Sequence, residues 1–271
     1  MRFINRHPGR RSRLLLGLLP LALLLLVYVQ FSRARLAANP DDRLLPSLGQ
    51  MADAVGKMAF TEDKRTGEHL MWADTLASLK RLGCGLGIAA LLGLCLGISA
   101  GSFPLLGATL SPLLALISMI PPLAILPILF IIFGLDDFSK IMLIVIGITP
   151  LLARDLEQHA RGLPREMMVK AQTLGANSWT IVLRVILPQM LARLMVSLRL
   201  ILGAAWLFLI SAEAISATAG LGYRIFLVRR YMAMDIILPY VLWITLLAWL
   251  MDQTLHQCTR WWFPWSVRSG A

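Results

Sequence analysis

The feature that most constrains this chain is a series of long apolar runs separated by polar breaks. The first run extends without a charged residue from Leu14 to Phe31, and the second from about Leu82 to Gly101. A run of about 18 to 20 apolar residues can cross a bilayer as a helix. In addition, 58% hydrophobic residues in 271 positions is more than one water-facing core of this size would bury. The sequence therefore predicts an all-α integral membrane protein and excludes a disordered, fibrous or disulfide-based fold.

We predict about six transmembrane helices. They cover residues 14–31, 82–101, about 105–134, 141–152, 191–211 and 236–255. The N-terminal tail, residues 1–13, carries five arginines, and the segment between the fourth and fifth runs is also basic. Cytoplasmic flanks of membrane spans are enriched in Lys and Arg. Both termini are therefore predicted to be cytoplasmic, with a polar segment, 32–81, outside. A core domain follows at 82–257, and a C-terminal tail at 258–271.

The net charge of +11 has two interpretations. In a soluble protein it would indicate nucleic-acid binding. Here the 26 Lys and Arg residues lie mostly in the breaks between apolar runs, where such residues bind anionic lipid headgroups. The predicted partner of these charges is membrane lipid and not nucleic acid.

The outer polar segment contains one predicted amphipathic helix. Its apolar residues follow the helical spacing and are Leu48, Met51, Ala52, Val55, Met58 and Ala59. Such a helix can lie in the outer membrane interface or pack on the spans, and both placements fit the pattern.

The second run carries a small residue at every fourth position. These residues are Gly85, Ala89, Gly93, Gly97 and Gly101. Helices in lipid associate where small residues let their backbones approach closely. The pattern therefore predicts a helix-packing ridge. It does not indicate a phosphate-binding loop, because no GxxxxGK[ST] motif occurs in the chain and no ATP or other cofactor site is predicted in it.

The third run is interrupted by Pro112, Pro121, Pro122 and Pro127. These prolines must kink or unwind the span. Unwound backbone at membrane depth is tolerated where it is buried in protein or lines a cavity. We therefore take Pro121, Pro122 and the nearby Ser118 as candidates for a translocation pathway, with ordinary kinked packing as the alternative.

An acidic residue, Glu213, lies at the end of the fifth run in an otherwise apolar stretch. A carboxylate at this depth is expected to face a cavity or a basic partner. We predict that Glu213 lies near the outer mouth and pairs with Arg224, Arg229 or Arg230, and we group Ser216 with it as a pathway candidate. The same three arginines are candidates for the outer mouth, where Arg229 and Arg230 attract an anion or a partner protein or are simply solvated.

The segment Leu163–Pro188, which we call the elbow, is too polar to span a membrane. Pro164 is predicted to start a short helix, and Gly175 suits the left-handed position just past its end. Asn177 or Ser178 can then cap a second helix that ends before Pro188. This arrangement predicts a rigid projection on the cytoplasmic side that docks a soluble partner. The alternative is an amphipathic helix that lies on the lipid headgroups.

Three motifs, found in the expected order, resemble those of permease subunits of ATP-binding-cassette importers. Ala171, Gly175 and the end Val185-Ile186-Leu187-Pro188 resemble the cytoplasmic "EAA" loop of these permeases. Two stretches resemble the nitrate/sulfonate/taurine branch: Ile120-Pro121-Pro122-Leu123-Ala124 with Pro127 and Phe133-Gly134, and Ala212-Glu213-Ala214-Ile215-Ser216-Ala217 with Gly220-Leu221-Gly222-Tyr223. The usual acidic residue six positions before the loop glycine is Val169 here, which puts in doubt any salt bridge it would make.

The resemblance implies a type I (MetI-like) importer-permease fold with a cytoplasmic coupling helix, in a bacterial inner membrane. It implies a second copy of the chain, two ATP-binding subunits that hold ATP and Mg²⁺, and a periplasmic solute-binding protein. The chain itself is then not an enzyme. The residues that the resemblance assigns to coupling are Pro164, Arg165, Glu166, Val169, Lys170, Ala171, Leu174, Gly175, Ala176 and Pro188.

The resemblance favours taurine or an alkanesulfonate as the solute and leaves nitrate, bicarbonate and a pyrimidine vitamin precursor open. A membrane-embedded enzyme would need a cluster of His, Asp or Glu within the spans. The four His residues are scattered instead, and no catalytic residue or metal ligand is predicted. An ion-driven secondary transporter would show internal repeats and mid-membrane ionisable groups. It is a more distant alternative.

Overall fold

The computed structural model describes residues 9–39, 42–63 and 67–265 and is helical throughout these ranges, without a strand. Its helices are α1 (Arg10–Ala38), α2 (Leu48–Phe60), α3 (Leu70–Ser102), α4 (Pro104–Ser118), α5 (Leu126–Phe133), α6 (Asp137–Arg161), α7 (Arg165–Thr173), α8 (Ser178–Ile181), α9 (Leu187–Ser216), α10 (Leu221–Arg229) and α11 (Met234–Trp262). The predicted all-α fold is confirmed. Most of the predicted N-terminal tail, residues 1–8, and the end of the predicted C-terminal tail, residues 266–271, lie outside the described residues.

Four of the described helical stretches are long and apolar enough to cross a membrane, and a bent pair makes a fifth. The four are Leu15–Ala38, Leu70–Ser102, Ser178–Ser216 and Met234–Trp262, and the bent pair is Pro104–Ser118 with Pro122–Phe133. Helix α6 contains the predicted fourth span and has 25 residues. That is about 37 Å, which exceeds the thickness of the hydrocarbon core. Helix α6 is not among the stretches that are apolar enough to cross a membrane, so the count of six spans stays a prediction.

The described residues fall into two compact units. The first contains the chain up to His69 together with Val228–Val241. In it, most apolar side chains of α1 are exposed, as expected for a helix that faces lipid. The chain after α1 folds back on this helix, and Tyr28 of α1 donates a hydrogen bond of 2.7 Å to the carbonyl oxygen of Pro46. A hydrogen bond from the Leu44 N–H, together with Arg35, holds the pKa of Asp42 below its usual value.

Helix α2 is the predicted amphipathic helix. Ser47 caps it in a capping box with Gln50. Met51, Ala54 and Ala59 are buried, whereas Leu48 of the predicted stripe is exposed. The buried residues show that α2 packs on protein along one side. This buried side differs slightly from the predicted apolar stripe.

The second unit, Leu70–Leu227 with the chain from Leu242 onward, is built around α3, α6 and α9. The predicted ridge of α3 faces α6. A Cβ atom added at any of its four glycines would lie 2.5–2.9 Å from a side-chain carbon of α6, and Ala89 is fully buried. The α6 residues in these contacts are Ile144, Leu152, Leu156 and Ala160. Glycine is therefore required at these positions for the two helices to approach so closely. Helix α3 begins at Leu70, twelve residues before the predicted second span. The prediction began later because the first turns of the helix carry polar residues on one face.

The proline-rich run is broken as predicted. Helix α4 ends at Ser118, a 3₁₀ turn covers Pro122–Ile125, and α5 follows at an angle of 80° to α4. Pro121 has an extended backbone, with ψ of 116°, so the helix cannot continue through it. Pro127, by contrast, lies in the first turn of α5, where its missing N–H costs nothing.

The predicted end of the second elbow helix before Pro188 is wrong. Helix α8 continues through a π-helical turn, Val182–Ile186, directly into α9. The N–H of Leu187 bonds to the carbonyl of Val182, five residues earlier. This wider turn allows a proline in the first turn of α9, where no intrahelical N–H is needed. Pro188 therefore marks a π-bulge and not a helix stop.

Candidate functional site

The elbow contains the predicted short helix and glycine turn. Helix α7 ends in a Schellman motif, in which Ala176 N–H bonds to the Ala171 carbonyl at 3.0 Å and Gly175 N–H to the Gln172 carbonyl at 2.9 Å. Gly175 has φ of +81°, in the left-handed region that favours glycine. Asn177, and not Ser178, caps the next helix by accepting a hydrogen bond of 2.7 Å from the Thr180 N–H. This local chemistry fixes the angle between the two arms of the elbow.

Helix α7 has no buried residue, and the elbow exposes large apolar side chains. Leu174 is 88% exposed, Trp179 is 64% exposed, and Val169 is exposed too. Charged side chains on the same helix, Arg165, Glu166 and Lys170, are exposed too. Large exposed apolar side chains among charged ones on a projecting segment are typical of a surface that docks another protein.

A cleft of about 600 Å³ separates the elbow from the bundle. On one side it is lined by Arg165, Met168 and Gln172, and on the other by the α3–α4 turn, Gly101–Pro104, with Arg161. Ile181, Val182 and Ile186 are buried, so the second arm is anchored in the bundle while α7 stands away from it.

A second set of polar groups lies at the other end of the same helices. We call this set the clasp: Asp74, Ser78, Arg81, Asp137, Lys140, Glu213 and Arg224. The elbow joins the end of α6 to the start of α9, whereas the clasp uses the start of α6 and the end of α9. Since α6 and α9 are antiparallel neighbours in one bundle, the clasp and the elbow lie at opposite ends of it.

Glu213 is fully buried at the centre of the clasp. Its carboxylate accepts hydrogen bonds from Arg81 at 2.7 Å, from the Ser78 hydroxyl at 2.8 Å and from the Gly222 N–H at 2.9 Å. Arg81 also pairs with Asp137 at 2.8 Å. These contacts satisfy the carboxylate entirely within the protein, as a buried charge requires.

The clasp also caps the N-terminus of α10. The N–H groups of Gly220, Leu221 and Gly222 donate to Asp74, Ser78 and Glu213 respectively, at 2.8–2.9 Å. Helix N-termini leave such donors without intrahelical partners and favour negative charge. The two carboxylates and the hydroxyl therefore hold α10 against α3 and α9.

Two glycines make this contact possible. A Cβ atom at Gly220, where φ is +136°, would lie 2.6 Å from the Glu213 carboxyl carbon, and one at Gly222 would lie 2.7 Å from the Ile210 carbonyl oxygen. The Glu213 and Gly220-Leu221-Gly222 stretches, noted above as parts of one motif, are thus the two sides of one contact.

The partner predicted for Glu213 is wrong. Glu213 pairs with Arg81, while Arg224 pairs with Asp74 at 2.7 Å. The prediction failed because it searched only residues that follow Glu213 in the chain. A signal was present: Asp74, Ser78 and Arg81 continue the spacing of the small-residue ridge toward the start of α3, and therefore share its buried face. Arg229 and Arg230, the other proposed partners, are exposed near the end of α10.

The pathway candidates are separated by the structure. Ser118 and the two prolines lie at the break between α4 and α5, where Ser118 accepts a hydrogen bond of 2.8 Å from Arg154 of α6. Pro122 packs at Gly147 of α6, at which an added Cβ would lie 3.0 Å from the proline Cβ. Glu213 is instead enclosed in the clasp, and the buried Ser216 hydroxyl has no hydrogen-bond partner among the described residues. Sequence reasoning did not single out Arg154 as a site residue, because it treated this residue as part of a basic loop.

The chain matches one family profile over residues 93–253, described as binding-protein-dependent transport system inner membrane component. It is 32% identical over 226 residues to the taurine transport system permease protein of Escherichia coli (strain K12), covering 83% of this chain and 79% of that protein. It is 33% identical over 195 residues to the bicarbonate transport system permease protein of Synechococcus elongatus, covering 71% of this chain and 69% of that one.

The fold is similar to that of a chain in the inward-facing MetNI methionine ABC transporter. The TM-score is 0.63 at 20% sequence identity, and the match covers 71% of this chain and 96% of the other. At this identity the likeness concerns the fold alone.

Proposed function

Because the chain belongs to the family of binding-protein-dependent transport system inner membrane components, we propose that it is the membrane-spanning subunit of an importer for a small organic sulfonate such as taurine. The family membership confirms the resemblance found in the sequence motifs, and the branch agrees with relatives named for taurine and bicarbonate transport. The chain is thus a multi-pass inner-membrane permease of the ABC importer class. The solute, the partners and the orientation of the termini belong to the proposal.

The exposed elbow supports the proposed partnership with an ATPase. Leu174 is 88% exposed and Trp179 is 64% exposed, and large exposed apolar side chains on a polar projecting segment favour a surface that another protein covers. The Schellman turn and the Asn177 cap make the elbow stiff, and the buried second arm connects it to α9. A push on α7 by a nucleotide-driven subunit would therefore reach the bundle instead of being absorbed in a flexible loop.

In this function the chain alternates between states that open inward and outward, and a periplasmic binding protein delivers the solute. ATP and Mg²⁺ are held by the partner subunits. Val169 occupies the position of the usual acidic residue and is exposed, so docking here relies on apolar contact at that point.

The test is to purify the tagged chain from its native membrane in mild detergent and to weigh the complex by native mass spectrometry. Two copies of this chain with two copies of one ATP-binding subunit are expected. The complex is then reconstituted with its binding protein, and uptake of labelled taurine, ethanesulfonate and bicarbonate is measured. Absence of an ATPase would refute the importer assignment, whereas bicarbonate uptake without sulfonate uptake would replace only the solute.

Leu174 provides a sharper test of the elbow. Leu174→Asp is expected to abolish association with the ATPase without unfolding the chain, because the side chain is 88% exposed and contributes little to folding. Glu62→Gln, an exposed change in the loop after α2, is the control. Normal ATPase association of Leu174→Asp would show that the partner docks elsewhere.

A further inference from the structure

One arginine of the central bundle lacks the carboxylate that all its counterparts have. The arginines of α3, α6 and α9 are Arg81, Arg154, Arg161, Arg193 and Arg199. Four of them pair with an Asp or Glu, as in the Arg199–Asp252 pair at 2.7 Å. Within residues 67–265, no carboxylate oxygen lies within 4.0 Å of the Arg154 guanidinium. Its contact is the hydroxyl of Ser118, at 2.8 Å.

Arg154 lies beside the unwound backbone between α4 and α5. Ser118 is the last residue of α4, and the extended Pro121 follows three residues later. Pro122 packs on Gly147, seven residues before Arg154 on the same helix. The break is thus held against α6 at two points about 10 Å apart.

With α4 and α6 crossing the membrane as predicted, both side chains lie at membrane depth. Ser118 is at the far end of a 15-residue helix, about 22 Å from its start, and Arg154 lies about 10 Å inside the end of α6. An uncompensated cation beside unwound backbone cannot face lipid tails, since neither would find partners there. Met119, Ile120 and Pro121 are nevertheless exposed on the surface of this chain. This surface is therefore covered by water or by protein in the membrane.

We propose that Arg154 and Ser118 form a subsite for the oxyanion group of the transported solute at the α4–α5 break. The guanidinium offers a planar set of N–H donors that matches two oxygens of a sulfonate or a bicarbonate. The Ser118 hydroxyl now donates to the carbonyl of Ala115 at 2.8 Å while it accepts from Arg154. It can turn to donate to an anion oxygen instead. The neutral hydroxyl is a weak ligand for a guanidinium, so an arriving anion displaces it readily, as a passing solute requires.

This inference rests on the proposed import function and names the solute group that the pathway recognises. The paired arginines are poor candidates for the same role, because an anion would have to compete with a carboxylate already bound. The clasp is excluded for that reason, since its three acidic and three basic side chains already balance.

The test compares Arg154→Gln, Arg154→Lys and Ser118→Ala in the reconstituted importer with its binding protein. Uptake of taurine, ethanesulfonate and bicarbonate is measured alongside ATP hydrolysis stimulated by the loaded binding protein. Arg154→Gln is expected to lower the uptake kcat/KM by roughly 10- to 100-fold, the usual loss for one charge-assisted contact. Arg154→Lys keeps the charge without the planar guanidinium group, and its uptake kcat/KM is expected to lie between those of Arg154→Gln and the wild type. Stimulated ATP hydrolysis is expected to remain, because the variants do not touch the elbow.

Lys57→Gln, which removes an exposed cation from α2, is the matched control and is expected to transport normally. Uptake by Arg154→Gln equal to this control would overturn the subsite while the importer function stands. A parallel fall of uptake, stimulated hydrolysis and thermal stability would also overturn it, since that pattern marks a structural hinge. Import of neutral solutes alone by the unaltered complex would overturn it as well. If Arg154→Gln fails to assemble, Ser118→Ala is tested in its place and is expected to lower the uptake kcat/KM by roughly 3- to 10-fold. An unchanged uptake kcat/KM for Ser118→Ala would then overturn the subsite.

Discussion

Replacing Glu213 by Gln tests whether the clasp holds the bundle together. The substitution keeps the shape of the side chain and removes its charge. The amide nitrogen that replaces one carboxylate oxygen would then face donors, because Arg81, Ser78 and the Gly222 N–H all point at this group. At least one donor loses its acceptor, and Arg81 is left with Asp137, which is 56% exposed, as its acidic partner.

The magnitude follows from burial. Breaking a fully buried ion pair by neutralising one partner costs about 3–5 kcal/mol, since the other charge stays desolvated. For a chain of this size, about 2–4 °C of melting temperature is lost per kcal/mol. We therefore expect Glu213→Gln to melt about 6–20 °C below the wild type. The double variant Arg81→Met with Glu213→Leu removes both charges and is expected to lose about 1–3 kcal/mol less than the sum of its single changes.

The assay is fluorescence-detected size-exclusion chromatography of heated, detergent-solubilised protein. Glu62→Gln removes an exposed carboxylate and is the control for the chemical change. If Glu213→Gln melts with the control, the buried network does not stabilise the bundle. If it melts with the control and also loses transport, the residue acts in the pathway, as first predicted from the sequence.

Three further changes test the packing and the elbow with the same assay and with uptake. Gly220→Ala is expected to destabilise the protein by about 1–3 kcal/mol, because its Cβ would lie 2.6 Å from a carboxyl carbon at a φ of +136°, whereas Gly203→Ala, with open space around it, is tolerated. Gly97→Ala places a Cβ 2.6 Å from a leucine Cβ on α6 and is expected to cost about 1–3 kcal/mol, while the open Gly87→Ala is neutral; equal melting of the two would refute the ridge contact. Asn177→Ala removes the cap of the second elbow arm and is expected to cost about 1 kcal/mol and to lower uptake more than stability, and unchanged uptake would show that elbow stiffness is not needed.

The bundle architecture was predictable because apolar length and small-residue spacing act locally. The run 82–101 is apolar throughout, which suits a helix in lipid. Its small residues at every fourth position identify the face that meets another helix. The Pro121–Pro122 pair was also sufficient to predict the break after α4, since proline lacks the N–H that a helix needs, whereas Pro112 lies inside α4 without ending it. The partner of the ridge, α6, was not predictable, because nothing in α3 specifies which helix fills the groove.

The elbow shows where local rules reach their limit. Gly175 was correctly assigned to the left-handed position, because no other residue at that point adopts it as cheaply. Pro188 was wrongly assigned as a helix stop. A proline need not end a helix if the preceding turn is widened so that no N–H is required at the proline, and the π-turn at Val182–Ile186 places Pro188 at such a position. Such a turn depends on how the flanking helices pack, which the local sequence does not show.

The charged residues were the hardest part to predict, and the structure divides them by a simple criterion. In the clasp, each buried charge has an opposite charge near it and a backbone group hydrogen-bonded to it, an N–H for the carboxylates and a carbonyl for the cations, so the group is complete without a ligand. At the α4–α5 break, Arg154 has a hydroxyl only. Keeping a charge out of water is tolerated when it is compensated, and a bundle that can provide carboxylates for its other arginines gains nothing in stability by leaving one without. Where compensation is missing, we expect the partner to come from outside the chain, and in the proposed function the oxyanion group of the solute would provide it in each transport cycle.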